Sequence, residues 1–146
     1  FINLPNKLIQ IAELAFYNCR SITEISIPKG ITKIEDNTFI YCRKLTNITL
    51  PAGLKYIGWG AFCDCDELPT ITIPQSTTEI GGHAFEGCDC LSKVYCTSTT
   101  PPSGNENMFP KNAESFNIFV PTKSANAYKT AEYWNDYADI IVGYDF

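Results

Sequence analysis

Apolar residues return along this chain at a fixed interval of 23 positions. Phe16, Phe39, Phe62 and Phe85 share the step, as do Cys19, Cys42, Cys65 and Cys88. Ile22, Leu45, Leu68 and Leu91 form another column, and Ile25, Ile48, Ile71 and Val94 the next. Ile11, Ile34, Ile57 and Ile80 make a fifth, while Pro28, Pro51 and Pro74 close three of the copies. Written once, the unit is I-x-x-x-x-F-x-x-C-x-x-L-x-x-I-x-I-P, and four ungapped copies cover residues 8–99. A period of this length is the mark of a repeat architecture.

Each unit contains a stretch such as ITEISI, LTNITL or LPTITI, rich in β-branched residues and alternating near its end. That pattern predicts a strand with one buried face, and the proline after it stops the strand. A second short strand is expected around Ile34, Ile57 and Ile80, on another face. The segment around each Phe, flanked by Ala15, Ala61 and Ala84, reads as a helical turn that points the ring inward. A unit this short cannot bury its own apolar face, so the units must stack into a solenoid. With parallel strands about 4.8 Å apart, four coils give a sheet about 15–20 Å across.

The pattern runs past both ends of the four copies. Ile2, Leu4 and Pro5 stand one period before Ile25, Ile27 and Pro28, so residues 1–7 read as a partial coil. Full coils follow at 8–30, 31–53, 54–76 and 77–99. Phe109, Asn112, Ile118, Val120 and Pro121 repeat the unit's internal spacing after a one-residue insertion, giving a degenerate fifth coil at 100–121 with Asn in the cysteine column. Residues 122–146 are expected to form a helical cap: SANAYKTAEYWNDYA reads as a helix with Ser124 as N-cap. In it Ala127, Tyr128, Ala131, Trp134 and Tyr137 lie roughly on one face. The opposite end shows no cap, and further repeats are expected upstream of Phe1.

The strand motif, the following I-x-x-I-x-x-x-A-F and the C-x-x-L turn resemble the BspA-like leucine-rich repeats of bacterial and some protist surface proteins. The likeness is close over residues 2–99 and loose over 100–121, and the tail VPTKSANAYKTAEYWNDYADIIVG is similar to the C-terminal end of such proteins. The resemblance implies a right-handed leucine-rich-repeat solenoid with a short helical C-terminal cap. It also implies a secreted or cell-surface location and adhesion to host matrix proteins.

Composition narrows the chemistry. Eleven Lys and Arg against sixteen Asp and Glu leave a net charge of −5, which gives no footprint for nucleic acid or an anionic membrane. No apolar run is long enough to span a bilayer. Seven cysteines cannot all pair within the chain. In-register cysteines place their Cβ atoms about 4.8 Å apart, whereas a disulfide favours about 3.8 Å. The column therefore reads as buried thiols that hydrogen-bond the turn backbone, and Cys96, in a column with Ile27, Leu50 and Ile73, as core.

Cys63, Cys65, Cys88 and Cys90 suggest a zinc tetrad, but Cys63 and Cys90 lie on opposite sides of the shared column and diverge. Asp64, Asp66, Glu67, Glu86 and Asp89 gather on neighbouring turns without a calcium-binding loop motif. They read as a solvated acidic edge, opposite in sign to Arg20, Arg43 and Lys44 at equivalent places. The sole histidine, His83, stands beside Gly81 and Gly82 with no nucleophile partner. The sequence thus assigns no catalytic residue, metal or cofactor.

Surfaces remain. The outward positions of the main sheet are Glu24, Asn47, Thr70 and Lys93, alongside Ser26, Thr49, Thr72 and Tyr95. Extended solenoid faces are where such proteins bind. Tyr17, Tyr41, Tyr56 and Trp59 form a second candidate set, read as exposed aromatics able to anchor a protein or stack on a sugar. The functional expectation is a non-catalytic extracellular module that binds a protein, a host matrix or cell-surface protein among them. The alternative is a carbohydrate-binding or purely structural spacer in a larger surface protein.

Overall fold

The computed structural model describes residues 2–111 and 115–146. Asn112, expected in the cysteine column, lies outside the described residues. The main face carries strands β1 (Glu24–Ser26), β3 (Asn47–Thr49), β5 (Thr70–Ile73), β7 (Lys93–Cys96), β8 (Asn117–Pro121) and β9 (Ile141–Tyr144). A second face carries the two-residue strands β2 (Lys33–Ile34), β4 (Tyr56–Ile57) and β6 (Glu79–Ile80). All pairings are parallel, and their register is the sequence period: Ile25 opposes Ile48, Ile34 opposes Ile57, and Ile71 opposes Val94. The chain is a parallel solenoid with one core running along its axis. Ile2 makes an isolated parallel bridge to Ile25, one period later.

Between β7 and β8 the register steps by 24 residues rather than 23. Lys93 pairs with Asn117, a step of 24, and the rings absorb the extra residue in the loop before Phe109. Phe16, Phe39, Phe62, Phe85 and Phe109 stack along the axis with centroids 5.0, 5.3, 5.2 and 5.5 Å apart, their planes within 11° of parallel. The spacing is that of neighbouring strands, so each coil delivers its ring against the last one.

Beside this stack, two columns of residues take left-handed backbone. Leu14, Asn37, Gly60 and His83 form one, with φ of 55–59°; Asn18, Tyr41, Asp64 and Gly87 form the other, with φ of 55–72°. These turns aim peptide N–H groups at the following coil: Phe39, Phe62 and Phe85 donate to Ala61, Ala84 and Met108, each at 2.8 Å. On the strand side the bonds run both ways, from Thr46 N–H back to Thr23 O (2.8 Å) and from Ile27 N–H forward to Thr49 O (3.0 Å). Asn, Asp and Gly suit left-handed backbone, whereas leucine there is strained by roughly 1–2 kcal/mol. Leu14 is 48% exposed and makes little use of its side chain. Leu14→Asn should therefore raise the unfolding free energy by about 1 kcal/mol, read from thermal or urea unfolding.

The main sheet is interrupted. β1 and β3 form one sheet, β5, β7, β8 and β9 another, and no ladder joins β3 to β5 among the described residues. Pro69 explains the gap. Thr46 and Ser92, one coil before and after it, donate their N–H groups to the preceding coil at Thr23 and Pro69. Pro69 has no N–H to donate to Thr46, and a proline is tolerated in sheets only where no ladder bond is needed. The continuous sheet expected over four coils is thus two sheets, split after the second. Ile48, on the rim of the split, is 7% exposed, the most open residue of its column.

After Pro121 the expected single helix is broken. A short 3-10 turn (Thr122–Ser124) leads into α1 (Ala125–Thr130), Ala131 is extended, and Tyr133 takes φ of 64°. A 3-10 helix then covers Asn135–Ile140 before β9. The reason is the burial of both Tyr128 and Trp134. Six residues along a helix of 3.6 per turn place two side chains about 120° apart, so an unbroken helix cannot turn both into the core. Ala127, expected on the buried face, is exposed, and Ala131 is half-buried. Ser124 makes no N-cap bond; its hydroxyl donates to Thr99 O at 2.7 Å instead. The segment covers the end of the core and also rejoins the sheet, with Ile141 opposite Ile118.

Candidate functional site

The outer face of the main sheet follows from strand alternation. Ile25, Ile48, Ile71, Val94, Ile118 and Ile141 point inward and are buried. Their neighbours Glu24, Asn47, Thr70, Lys93 and Asn117 line up in register on the other side. A second outward row holds Ser26 and Thr49, then, beyond the split, Thr72, Tyr95, Phe119 and Val142. The expected sheet-face residues therefore all lie on one surface, with Thr70 and Tyr95 half-buried and the others exposed.

This surface changes character along its length. The first two coils present Glu24, Asn47, Ser26 and Thr49, while the last three present rings. Tyr95 and Phe119 stack at 5.1 Å and 21°. Tyr144 meets both edge-on at 5.6 Å, and Phe146 packs on Tyr144 at 4.9 Å and on Tyr95 at 6.3 Å. Val142, Tyr144 and Phe146 are 40%, 43% and 58% exposed, so the cluster faces solvent. Sequence reasoning found Tyr95 and missed its partners. The signal was available, because Phe119 falls in the column of Tyr95 after the insertion, and Val142 stands 23 residues beyond Phe119.

The second candidate set separates into two places. Tyr17 (52% exposed) meets Tyr41 edge-on at 5.9 Å, and the guanidinium of Arg43 lies 5.9 Å from the Tyr41 ring centre. Tyr56 and Trp59 stand elsewhere, joined through Asp36. The Tyr56 hydroxyl donates to Asp36 Oδ1 at 2.9 Å, and the Trp59 backbone N–H donates to the same oxygen at 2.8 Å. Tyr41 and Tyr56 are half-buried rather than exposed, since each packs sideways on the neighbouring coil. Burial, reinforced by the Asp36 carboxylate, pushes the Tyr56 hydroxyl pKa up to about 12. Trp59 is 41% exposed, but its indole lies on Gly82, where a Cβ would come within 2.5 Å of the ring, and against the His83 imidazole at 4.9 Å.

The cysteine column is structural. The thiols of Cys42, Cys65 and Cys88 donate to the carbonyls of Phe16, Phe39 and Phe62 at 3.1, 3.3 and 3.1 Å. All seven cysteines are free. Burial raises the thiol pKa of Cys42 to about 11 and that of Cys63 to about 12, and pushes Cys65, Cys88 and Cys96 higher still. A nucleophilic or metal-binding cysteine needs the opposite shift. Cys63 is half-buried and Cys90 exposed, so the suggested zinc tetrad does not converge. On the acidic edge Asp66 pairs with Arg43 at 3.4 Å. Among the described residues no group of three His, Cys, Asp or Glu side chains is placed to hold a metal ion. His83 sits between carboxylates, its Nδ1 bonded to Glu86 and its Nε2 3.9 Å from Glu106. No helix of the described residues is long and apolar enough to cross a membrane.

Comparison with known proteins agrees with this geometry. The model of the BspA type leucine rich repeat region matches residues 1–126 in six copies. No curated protein sequence matches significantly. Among solved structures, the pneumococcal vaccine antigen PcpA is similar over 95% of this chain, at 17% identity and a TM-score of 0.66. The chain spans 38% of that protein's length. The leucine-rich-repeat protein of T. pallidum is similar over 90% of this chain and 78% of its own, at 22% identity and a TM-score of 0.49. One from Bacteroides ovatus covers 77% of this chain and 43% of its own, at 22% identity and 0.43.

Proposed function

Because the chain belongs to the BspA-type leucine-rich-repeat family, we propose that it is a non-catalytic binding module of a secreted or cell-surface protein. In this reading the outer face of the main sheet engages a protein ligand, a host matrix or neighbouring-cell protein among them. The observation that carries the reading is the solvent-facing cluster of Tyr95, Phe119, Tyr144 and Phe146 at one end of a polar sheet face. Aromatic anchors beside a hydrogen-bonding surface are the composition of protein-binding hot spots.

The arrangement of the rings favours protein over sugar. Tyr95 and Phe119 stack on each other, which takes up one face of each ring, and Tyr144 meets both edge-on. Ring edges suit apolar side chains and carbonyl oxygens of a polypeptide. The test is adhesion of beads carrying this chain to a panel of immobilised extracellular-matrix proteins. Tyr144→Ser and Phe119→Ser, which leave the core column intact, should each cut retention about tenfold or more, while Tyr17→Ser should leave it unchanged. Equal retention of all three variants would refute the sheet-face reading.

A further inference from the structure

Trp59 is the tryptophan that solvent reaches: it is 41% exposed, whereas Trp134 is fully buried. Nothing in the repeat asks for it. Leu14 N–H donates to Asp36 O, Asn37 N–H to Trp59 O, Gly60 N–H to Gly82 O and His83 N–H to Glu106 O, so one column reads Asp36, Trp59, Gly82, Glu106. The other members are acidic or glycine. A ring at this place belongs to the third coil alone and serves no core column.

The indole lies flat on the next coil. A Cβ added to Gly82 would stand 2.5 Å from Cζ3, and 2.8 and 2.9 Å from its ring neighbours Cη2 and Cε3. Such similar distances to three successive ring atoms put Gly82 under the face of the six-membered ring rather than at its edge. Only glycine permits this approach. His83, next in the chain, flanks the ring with centroids 4.9 Å apart and planes tilted by 51°. The Trp59 backbone is held as well, its N–H donating to Asp36 Oδ1 at 2.8 Å. One face of the ring thus rests on Gly82, and the exposure belongs to the other, a broad apolar surface fixed before any ligand arrives.

Hydrogen-bonding groups stand beside it. Nδ1 of His83 bonds Glu86, and Nε2 lies 3.9 Å from Glu106, too far for a direct hydrogen bond. The Glu86 and Glu106 side chains are 52% and 62% exposed. With Nδ1–H given to Glu86, Nε2 of the neutral imidazole is an acceptor. Hydroxyl groups donate to such nitrogens, and more strongly to carboxylates.

We propose that Trp59 is the platform of a carbohydrate-binding subsite whose occupant is a pyranose unit of an uncharged polysaccharide. The C–H face of the sugar covers the open face of the indole, whose negative quadrupole attracts polarised C–H groups. Its hydroxyls donate to Glu106, Glu86 and Nε2 of His83. An acidic sugar would meet these carboxylates as like charges. A cationic group is the less suitable occupant, because Glu86 is engaged by His83, and Asp36 by the Tyr56 hydroxyl and the Trp59 N–H. The subsite follows β4 on the second face, apart from the sheet-face aromatic cluster, and does not depend on that cluster's role.

Retention of the chain on beads carrying arabinoxylan, galactomannan, hydroxyethylcellulose or pullulan tests the proposal. At least one of the four should retain it, equally at about 50 and 500 mM salt, and the same polysaccharide in solution should shift tryptophan emission to shorter wavelength. Trp59→Ala should weaken retention about tenfold or more. Gly82→Ala keeps the indole but pushes a methyl group under it, and should weaken retention as much. Glu106→Gln should weaken it severalfold, and Tyr144→Ser should leave it unchanged. Failure of all four polysaccharides to retain the chain would overturn the proposal, as would retention that survives both Trp59→Ala and Gly82→Ala. Retention abolished by salt or by competing acetyl-lysine amide would overturn it too, by showing a cation site. Failure of the sheet-face reading shows separately, as matrix adhesion indifferent to Tyr144 and Phe119.

Discussion

Trp134→Ala should lower the unfolding free energy by about 3–5 kcal/mol, measured by urea unfolding with amide exchange to locate the loss. The ring is fully buried, packs at right angles on Tyr128 at 4.9 Å, and meets Phe109 at 5.7 Å. Its indole N–H donates to Pro102 O at 2.8 Å, so truncation empties a cavity and also strands a buried acceptor. The damage should concentrate in the last coils, because Tyr128 and Tyr137 are tied to the same loop. Tyr128 donates to Ser98 O at 2.9 Å, and the Tyr137 hydroxyl accepts the Phe109 N–H at 3.1 Å. Protection should fall first in β8 and β9 and least in β1. A loss spread evenly over all coils would mean that this segment does not act as the terminal lock. Trp59→Ala, at a 41% exposed site, should cost about 1 kcal/mol or less.

Alkaline pH should unfold the chain well before its backbone chemistry is affected. Burial holds Cys65, Cys88 and Cys96 above the ordinary thiol value of 9.0. Below pH 9 these groups are neutral in the folded and unfolded chain alike, and their full contribution is present. Above pH 9 the unfolded chain sheds these protons while the folded core retains them, so stability falls as pH rises. Each such thiol removes about 1.4 kcal/mol per pH unit until its own folded pKa is reached. Three in one core remove about 4 kcal/mol per unit, a large share of the stability of a domain this size. Denaturant midpoints should be level from pH 7 to 8.5 and drop steeply by pH 10.5. A triple Cys65→Ala, Cys88→Ala, Cys96→Ala variant should lose stability at neutral pH yet show a flatter pH dependence. If wild type and triple variant decline in parallel, other groups govern the alkaline limit.

The columns made most of the fold legible in the sequence. A residue that recurs at a fixed step in every coil must meet the same neighbours, so Phe62, Cys65, Leu68 and Ile71 could each be placed in the core from spacing alone. The thiol-to-carbonyl bonds followed from the same logic. What escaped were features that occur once. Pro69 stands inside LPTITI, a stretch that otherwise reads as a standard strand, and only its missing N–H distinguishes it from Thr46 and Ser92. The helix after Pro121 is shorter than the spacing predicts because that spacing gathers Tyr128 and Trp134 only roughly on one face, whereas burying both fully takes a break at Ala131 and Tyr133. The aromatic cluster is assembled from three strands and the residues after the last, and β9 was hidden inside a segment read as cap. Leu14, Tyr41 and His83 sit at left-handed positions that their residue types do not advertise, whereas Asn37, Gly60 and Gly87 do.

The two sides of the solenoid differ in how they would carry load. On the turn side every coil from Phe16 to Met108 is bonded to the next without a gap. On the strand side no ladder joins β3 to β5 among the described residues, although Glu67 N–H still donates to Arg43 O at 3.2 Å just before the gap. A pull along the long axis therefore meets a joint that opens on one face while the other stays fastened. The molecule should bend there before any coil unravels, so that coils on either side tilt apart as two stiff blocks. In a solenoid pulled from its two ends, such a joint turns a sudden tug into a change of angle, and postpones rupture.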